Sequence, residues 1–167
     1  MISPLGKTQL ATVIFKDANN ATGSEDTAPG REMNVTTAIN ITTSSVNYGT
    51  VTANTNTGAT NQVTTSTNAG NSTTTIKVSA QSTLTKGTDS IATSSQKYAT
   101  STFTYGTGDT ALSETATTIS GTTMVTPTST TNVSRAVFWG ITIPAGKATG
   151  TYAGVNLFTA SYVDVAN

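Results

Sequence analysis

The stretch Arg135-Ala136-Val137-Phe138-Trp139-Gly140-Ile141-Thr142-Ile143 is apolar on both faces toward its centre, the pattern of a strand lying between two layers. Pro144-Ala145-Gly146 ends it, and Gly150-Thr151-Tyr152 leads into a second long predicted strand, Val155 to Val163. The Pro/Gly turn between them predicts a hairpin or an adjacent-strand connection. Trp139 and Phe138 could form a sugar-stacking platform, but so apolar a setting favours core packing.

Upstream, Met33 to Thr42 alternates Met33, Val35, Thr37, Ile39 and Ile41 on one face with Asn34, Thr36, Ala38, Asn40 and Thr42 on the other, predicting an amphipathic strand. Val46 to Val51 reads as a short strand with a bulge or bend at Gly49. Val63 to Ser66 is a further short strand. After the turn residues Asn68-Ala69-Gly70-Asn71, Thr73 to Ala80 continues as a strand with Ile76 and Val78 inward. Leu84 to Thr131 carries weaker signals: short strands and loops, a strand at Thr102 to Tyr105, a fragment at Thr118-Ile119 and a brief helical turn at Leu112 to Ala116. Nowhere does a 3.6 period persist over the length that a stable helix needs.

The first apolar run is Gln9 to Lys16, followed by Asp17 to Arg31, rich in Asn, Gly and Asp. A spacer of roughly 15 residues is long for a hairpin, so the run is expected to pair far along the chain, by a Greek-key crossover or in another molecule.

Composition agrees with an all-β chain. Threonine makes up about a quarter of the 167 residues, histidine and cysteine are absent, and only 10% of residues are charged. Threonine is β-branched and fits a pleated surface, while its hydroxyl wets the solvent face without charge. Disorder is disfavoured because Pro numbers only four and Val, Ile and Thr recur at strand spacing. Eight basic and eight acidic residues cancel without forming a run, so the electrostatic footprint of a nucleic-acid binder is missing. No stretch reaches the roughly 20 apolar residues that span a bilayer, which predicts no membrane span.

The common nucleophilic triads cannot be assembled without histidine or cysteine, and no lysine sits in a recognisable Ser-Lys motif. The carboxylates are scattered among turn residues, where solvation and capping explain them. Glu25-Asp26 with Glu32 matches no established calcium loop, and Gly106-Thr107-Gly108 is too short for a phosphate loop. No enzyme activity, metal or cofactor is expected. Five N-x-[ST] sequons, at Asn20, Asn34, Asn40, Asn71 and Asn132, are candidate N-glycan acceptors in an exported chain. Asn34 and Asn40 fall on the polar face of their strand. In a chain so rich in Asn and Thr, chance supplies many such triplets.

Three segments carry a family resemblance: Ser45-Val46-Asn47-Tyr48-Gly49-Thr50-Val51; Asn68-Ala69-Gly70-Asn71 leading into Ile76-Lys77-Val78-Ser79-Ala80; and Trp139 to Gly146 with Gly150-Thr151-Tyr152-Ala153-Gly154. Together they resemble secreted archaeal surface proteins, including the archaeal bundling pilus subunits similar to the bacterial biofilm matrix protein TasA. The resemblance implies a jelly-roll β-sandwich subunit that polymerises by donor-strand complementation, an N-terminal strand completing the sheet of the next copy. On that expectation Leu10, Val13, Ile14 and Phe15 are the donor-strand anchors.

The sequence thus predicts residues 1–31 as donor strand and linker and 32–167 as one antiparallel β-sandwich with Ile39, Ile41, Val78, Val137, Trp139, Ile141 and Phe158 in its core. The expected role is a non-enzymatic subunit of an extracellular, cell-surface filament. Its partners are copies of itself, with neighbouring filaments that bundle with it. A monomeric adhesin or carbohydrate-binding module, and a surface-layer or viral structural protein, are the rival readings.

Overall fold

A computed structural model describes the backbone pairing of four short N-terminal strands, and residues 34–43, 45–128 and 132–163 in full. The chain divides into two compact units, the first running to Thr36 and the second from Thr37 to Val165. In the first unit β1 (Thr8–Gln9) and β2 (Thr12–Val13) face β4 (Arg31–Glu32) and β3 (Asp26–Thr27). The pairings are antiparallel, Thr8 opposite Glu32 and Val13 opposite Asp26. The first run, expected to pair far along the chain or in another molecule, is therefore paired locally, with residues at the end of the spacer and just beyond it.

The second unit is all-β and antiparallel. Its strands are β5 (Ile39–Ile41), β6 (Thr55–Asn56), β7 (Gln62–Asn68), β8 (Thr74–Ala80), β9 (Leu84–Lys86), β10 (Asp89–Ile91), β11 (Gln96–Ala99), β12 (Thr110–Ala111), β13 (Thr117–Thr118), β14 (Ser134–Ile143) and β15 (Asn156–Tyr162). One sheet runs β12-β11-β14-β7-β5, with β6 also paired to β14; the second runs β13-β8-β15; β9 and β10 form a hairpin. No α-helix occurs among the described residues, only a single 3-10 turn at Thr93–Ser95.

The sheets face each other across the main core, and Leu84, Ile91 and Ile141 form a second, smaller cluster. Ile76, Val78 and Ala80 of β8 meet Tyr98 of β11 and Val137 and Trp139 of β14, with Leu112, Ile119 and Met124 filling between. Trp139 is fully buried, its ring 5.7 Å from Tyr98 and 5.8 Å, edge-on, from Phe158 of β15. Such tilted pairs suit the aromatic quadrupole. The alternation in β7 buries Thr64, Ser66 and Asn68, so this core accepts hydroxyl and amide groups. Asn68 repays its burial by donating from Nδ2 to the carbonyls of Ser72 and Val125, at 2.8 and 3.1 Å.

Several expectations are corrected. β14 and β15 are not hairpin partners: β15 pairs along its length with β8, and β14 lies in the other sheet between β11 and β7. The segment 144–155 is long enough to cross between sheets, and the bridge between Ala153 and Thr85 guides it there. Of the described residues in the expected strand Met33 to Thr42, only Ile39–Ile41 are strand, and Val35 is exposed rather than inward, because β7 ends at Asn68, opposite Ile39. Val46 to Val51 forms no strand; Asn47 Oδ1 accepts the Gly49 N–H at 2.9 Å, and Gly49 adopts a φ of +69°.

Thr102 to Tyr105 is likewise irregular. Phe103 N–H donates to Asn61 Oδ1 at 2.9 Å, and its ring lies over Gly140, where an added Cβ would meet Phe103 Cζ at 3.2 Å. The expected helical turn at Leu112 to Ala116 does not form: Leu112 N–H donates to Gln96 O, Ser113 O accepts from Ala80 N–H, and the chain then bends at Glu114 and Thr115.

Candidate functional site: an open sheet edge and its groove

β15 is an outer strand of its sheet, and its pairing with β8 spans all seven of its residues. The even-numbered residues of β8 bond away from it: Thr74 exchanges bonds with Met124, Ile76 O accepts from Ile119, and Ala80 N–H donates to Ser113 O. The odd-numbered residues of β8 therefore bond to Leu157, Thr159 and Ser161 of β15. By the same alternation the N–H and C=O groups of Phe158 and Ala160 point away from β8, along an edge that no other described strand occupies. Val155 and Leu157 are about half exposed beside it.

A groove of about 490 Å³ opens between the start of β15 and a wall formed by Ile41, Thr43, Ser45, Val46 and Tyr48. Ile41, Val46, Leu84, Val155 and Phe158 give it apolar walls, while Thr64 and Gln96, both buried, lie at its base. Gln96 Oε1 accepts from Tyr48 OH and from Asn156 Nδ2, each at 3.1 Å, linking the first sheet, the irregular segment and β15. Burial raises the Tyr48 phenol well above its ordinary value, so the hydroxyl stays a donor.

The outer wall, Tyr152 to Val155, is held by a carboxylate. Asp89, at the start of β10, accepts from Tyr152 OH, from Ala148 N–H at 3.0 Å and from Lys147 Nζ at 3.0 Å. The Tyr152 hydroxyl first, then the Ala148 amide and Lys147, hold the Asp89 carboxyl well below the usual carboxylate range. The same contact raises the Tyr152 phenol. Gly154 passes so near Thr83 that an added Cβ would stand 2.8 Å from the Thr83 carbonyl oxygen.

The groove lining holds no carboxylate, ammonium, imidazole or thiol. It offers apolar surface, hydroxyls and amides, a set suited to binding an uncharged chain and without a group that titrates near neutral pH.

Of the residues singled out in the sequence, Val78, Val137, Trp139 and Ile141 are buried. Ile39 and Phe158 pack partly buried against the core, and Ile41 lines the groove. Val13 pairs through its backbone with Asp26, whereas Leu10, Ile14 and Phe15 lie outside the described residues, as does Asn20. Asn34, Asn40, Asn71 and Asn132 are all exposed. Sequence reasoning missed Gln96, Asn156 and Asp89, because their partners lie far away in the chain. Tyr48 and Tyr152 fell within quoted segments without a role. Among the described residues no helix is long and apolar enough to cross a membrane. No protein-family model, curated protein or solved structure matches the chain.

Proposed function

We propose that the protein is a structural subunit of an extracellular filament that grows by donor-strand complementation, the N-terminal run of one copy lying along β15 of the next. One observation carries the reading: β15 is a seven-residue outer strand with Phe158 and Ala160 turned toward an open edge, beside an uncharged apolar groove. An added strand would satisfy that row of backbone groups and place alternate apolar side chains in the groove. Leu10, Val13, Ile14 and Phe15 belong to a run without charge until Lys16, which matches the groove in chemistry. Within its own chain the run makes two ladders of two residues each, so exchange onto a seven-residue edge lengthens the pairing. A head-to-tail contact of this kind does not close, and a fibre follows. The jelly-roll arrangement, a cell-surface location and bundling with neighbouring fibres belong to the same proposal.

The test is deletion of residues 1–16. The truncated chain is expected to stay monomeric by electron microscopy and sedimentation, and a synthetic peptide of that segment is expected to cap it one to one. Filaments forming from the truncated chain as they do from the full one would falsify the proposal.

A second reading draws on the groove's Tyr48, Tyr152, Gln96 and Asn156, whose phenols and amides also suit a carbohydrate. It predicts that the monodisperse full-length chain binds glycans on an array, and that Gln96→Ala abolishes the signal.

A further inference from the structure

Three of the sequons, far apart in sequence, converge at one end of the sandwich. Asn40 stands opposite Thr67 in the β5–β7 pairing, and Thr67 in turn stands opposite Ser134, the third residue of the Asn132 sequon. The Thr67 and Ser134 hydroxyls are 2.7 Å apart, and Asn68 N–H donates to Val133 O at 2.9 Å. Asn71 sits in the turn that leaves β7, three positions beyond Asn68, whose Oδ1 accepts the Gly70 N–H. All three asparagines are exposed. Chance accounts for their number; the fold accounts for their meeting.

This end contains β5, an outer strand of the larger sheet. Outer strands are usually guarded against stray pairing by charge, proline or a bulge. Ile39-Asn40-Ile41, flanked by Thr37, Ala38, Thr42 and Thr43, has no charge or proline. β15 is equally uncharged and contains no sequon, since Asn156 is followed by Leu157 and Phe158. Besides their lengths of three and seven residues, the two edges differ in one respect: a sequon lies in β5 and two more lie near its end of the sheet, while β15 has none.

We infer that Asn40, Asn71 and Asn132 carry N-linked glycans, which together shield the β5 edge and leave β15 as the edge open to strand addition. The carriage of glycans stands on the sequons and their exposure; the purpose of the bare edge rests on the filament reading. A new N-glycosidic bond forms at each Asn Nδ2 as the lipid-linked oligosaccharide loses its diphosphate carrier.

The test is glycopeptide mapping by mass spectrometry on full-length protein from its native source. Sugar on all three asparagines is the expected result; unmodified asparagine at two or more of them overturns the assignment, whether or not the material is filamentous. The shielding role is read separately in an Ala160→Pro background, which closes the β15 edge. There, the added changes Asn40→Gln, Asn71→Gln and Asn132→Gln are expected to raise light scattering several-fold over the glycosylated parent. Equal scattering from the two overturns the shielding role and leaves the filament reading untouched.

Discussion

The indole Nε1 of Trp139 donates to Thr64 Oγ1 across 2.9 Å, at a point where both residues are shut off from water. A hydroxyl rather than a methyl group at position 64 is what allows the largest side chain of the core to be buried completely. Thr64→Val keeps the volume and removes the acceptor, leaving a buried indole N–H unpaired. A loss of about 1–3 kcal/mol is expected in urea denaturation, with Thr64→Ser closer to wild type.

Ile76 and Leu157 lie on opposite faces of neighbouring strands, one fully buried and the other about half exposed. Ile76→Ala opens a cavity between the sheets and is expected to cost about 2–5 kcal/mol. Leu157→Ala should change the unfolding midpoint of the monomer little, within about 0.5 kcal/mol. Equal losses from the two would contradict the two-layer packing.

At Ala160 the backbone N–H faces the open edge, and proline is tolerated on an outer strand when the missing donor faces solvent. Ala160→Pro is expected to retain the wild-type circular dichroism spectrum and, on the proposed donor-strand assembly, to abolish fibres. Fibres of normal length from this variant would mean that subunits do not join along β15.

The Asp89 carboxylate titrates lower in the folded chain than the usual value of about 3.9 for an unfolded aspartate. A depressed carboxyl contributes stability that is fully present above the unfolded value and is lost as pH falls through the folded one. Thermal unfolding should therefore shift downward as the pH is lowered below about 4. Asp89→Asn should start from a lower midpoint and show a shallower acid slope, because it has already lost the ionic tie to Lys147. An unchanged slope would exclude Asp89 as the acid-sensitive group.

How much of this was legible in the sequence depends on how locally each feature is determined. β8, β14 and β15 could be read because each alternates or runs apolar over seven residues or more, and inward Ile76, Val78 and Val137 set the register, whereas β7, with Val63 as its single apolar residue, was legible only from Val63 to Ser66. The stretch from Met33 alternates as cleanly, yet of its described residues only Ile39–Ile41 are strand, since alternation specifies a face and not the length of the neighbour. The turn after Ile143 suggested a hairpin, but its path is decided by Asp89 and Thr85, which lie more than fifty positions upstream and carry no local signal. For the same reason the groove was invisible: Gln96, Tyr48 and Asn156 become a unit only when three separate segments meet. Threonine, the commonest residue, proved to serve inside the core as well as outside it, as Thr64 and Thr74 show.

Phe158, which packs edge-on against Trp139, belongs to β15, and β8 waits for that strand across the whole of 81–155. The pairing that seats this hydrophobic lid thus joins residues at widely separated positions, a slow arrangement to form. The placing of one phenylalanine therefore sets a timetable, in which the core between the two sheets closes only once β15 has followed β8.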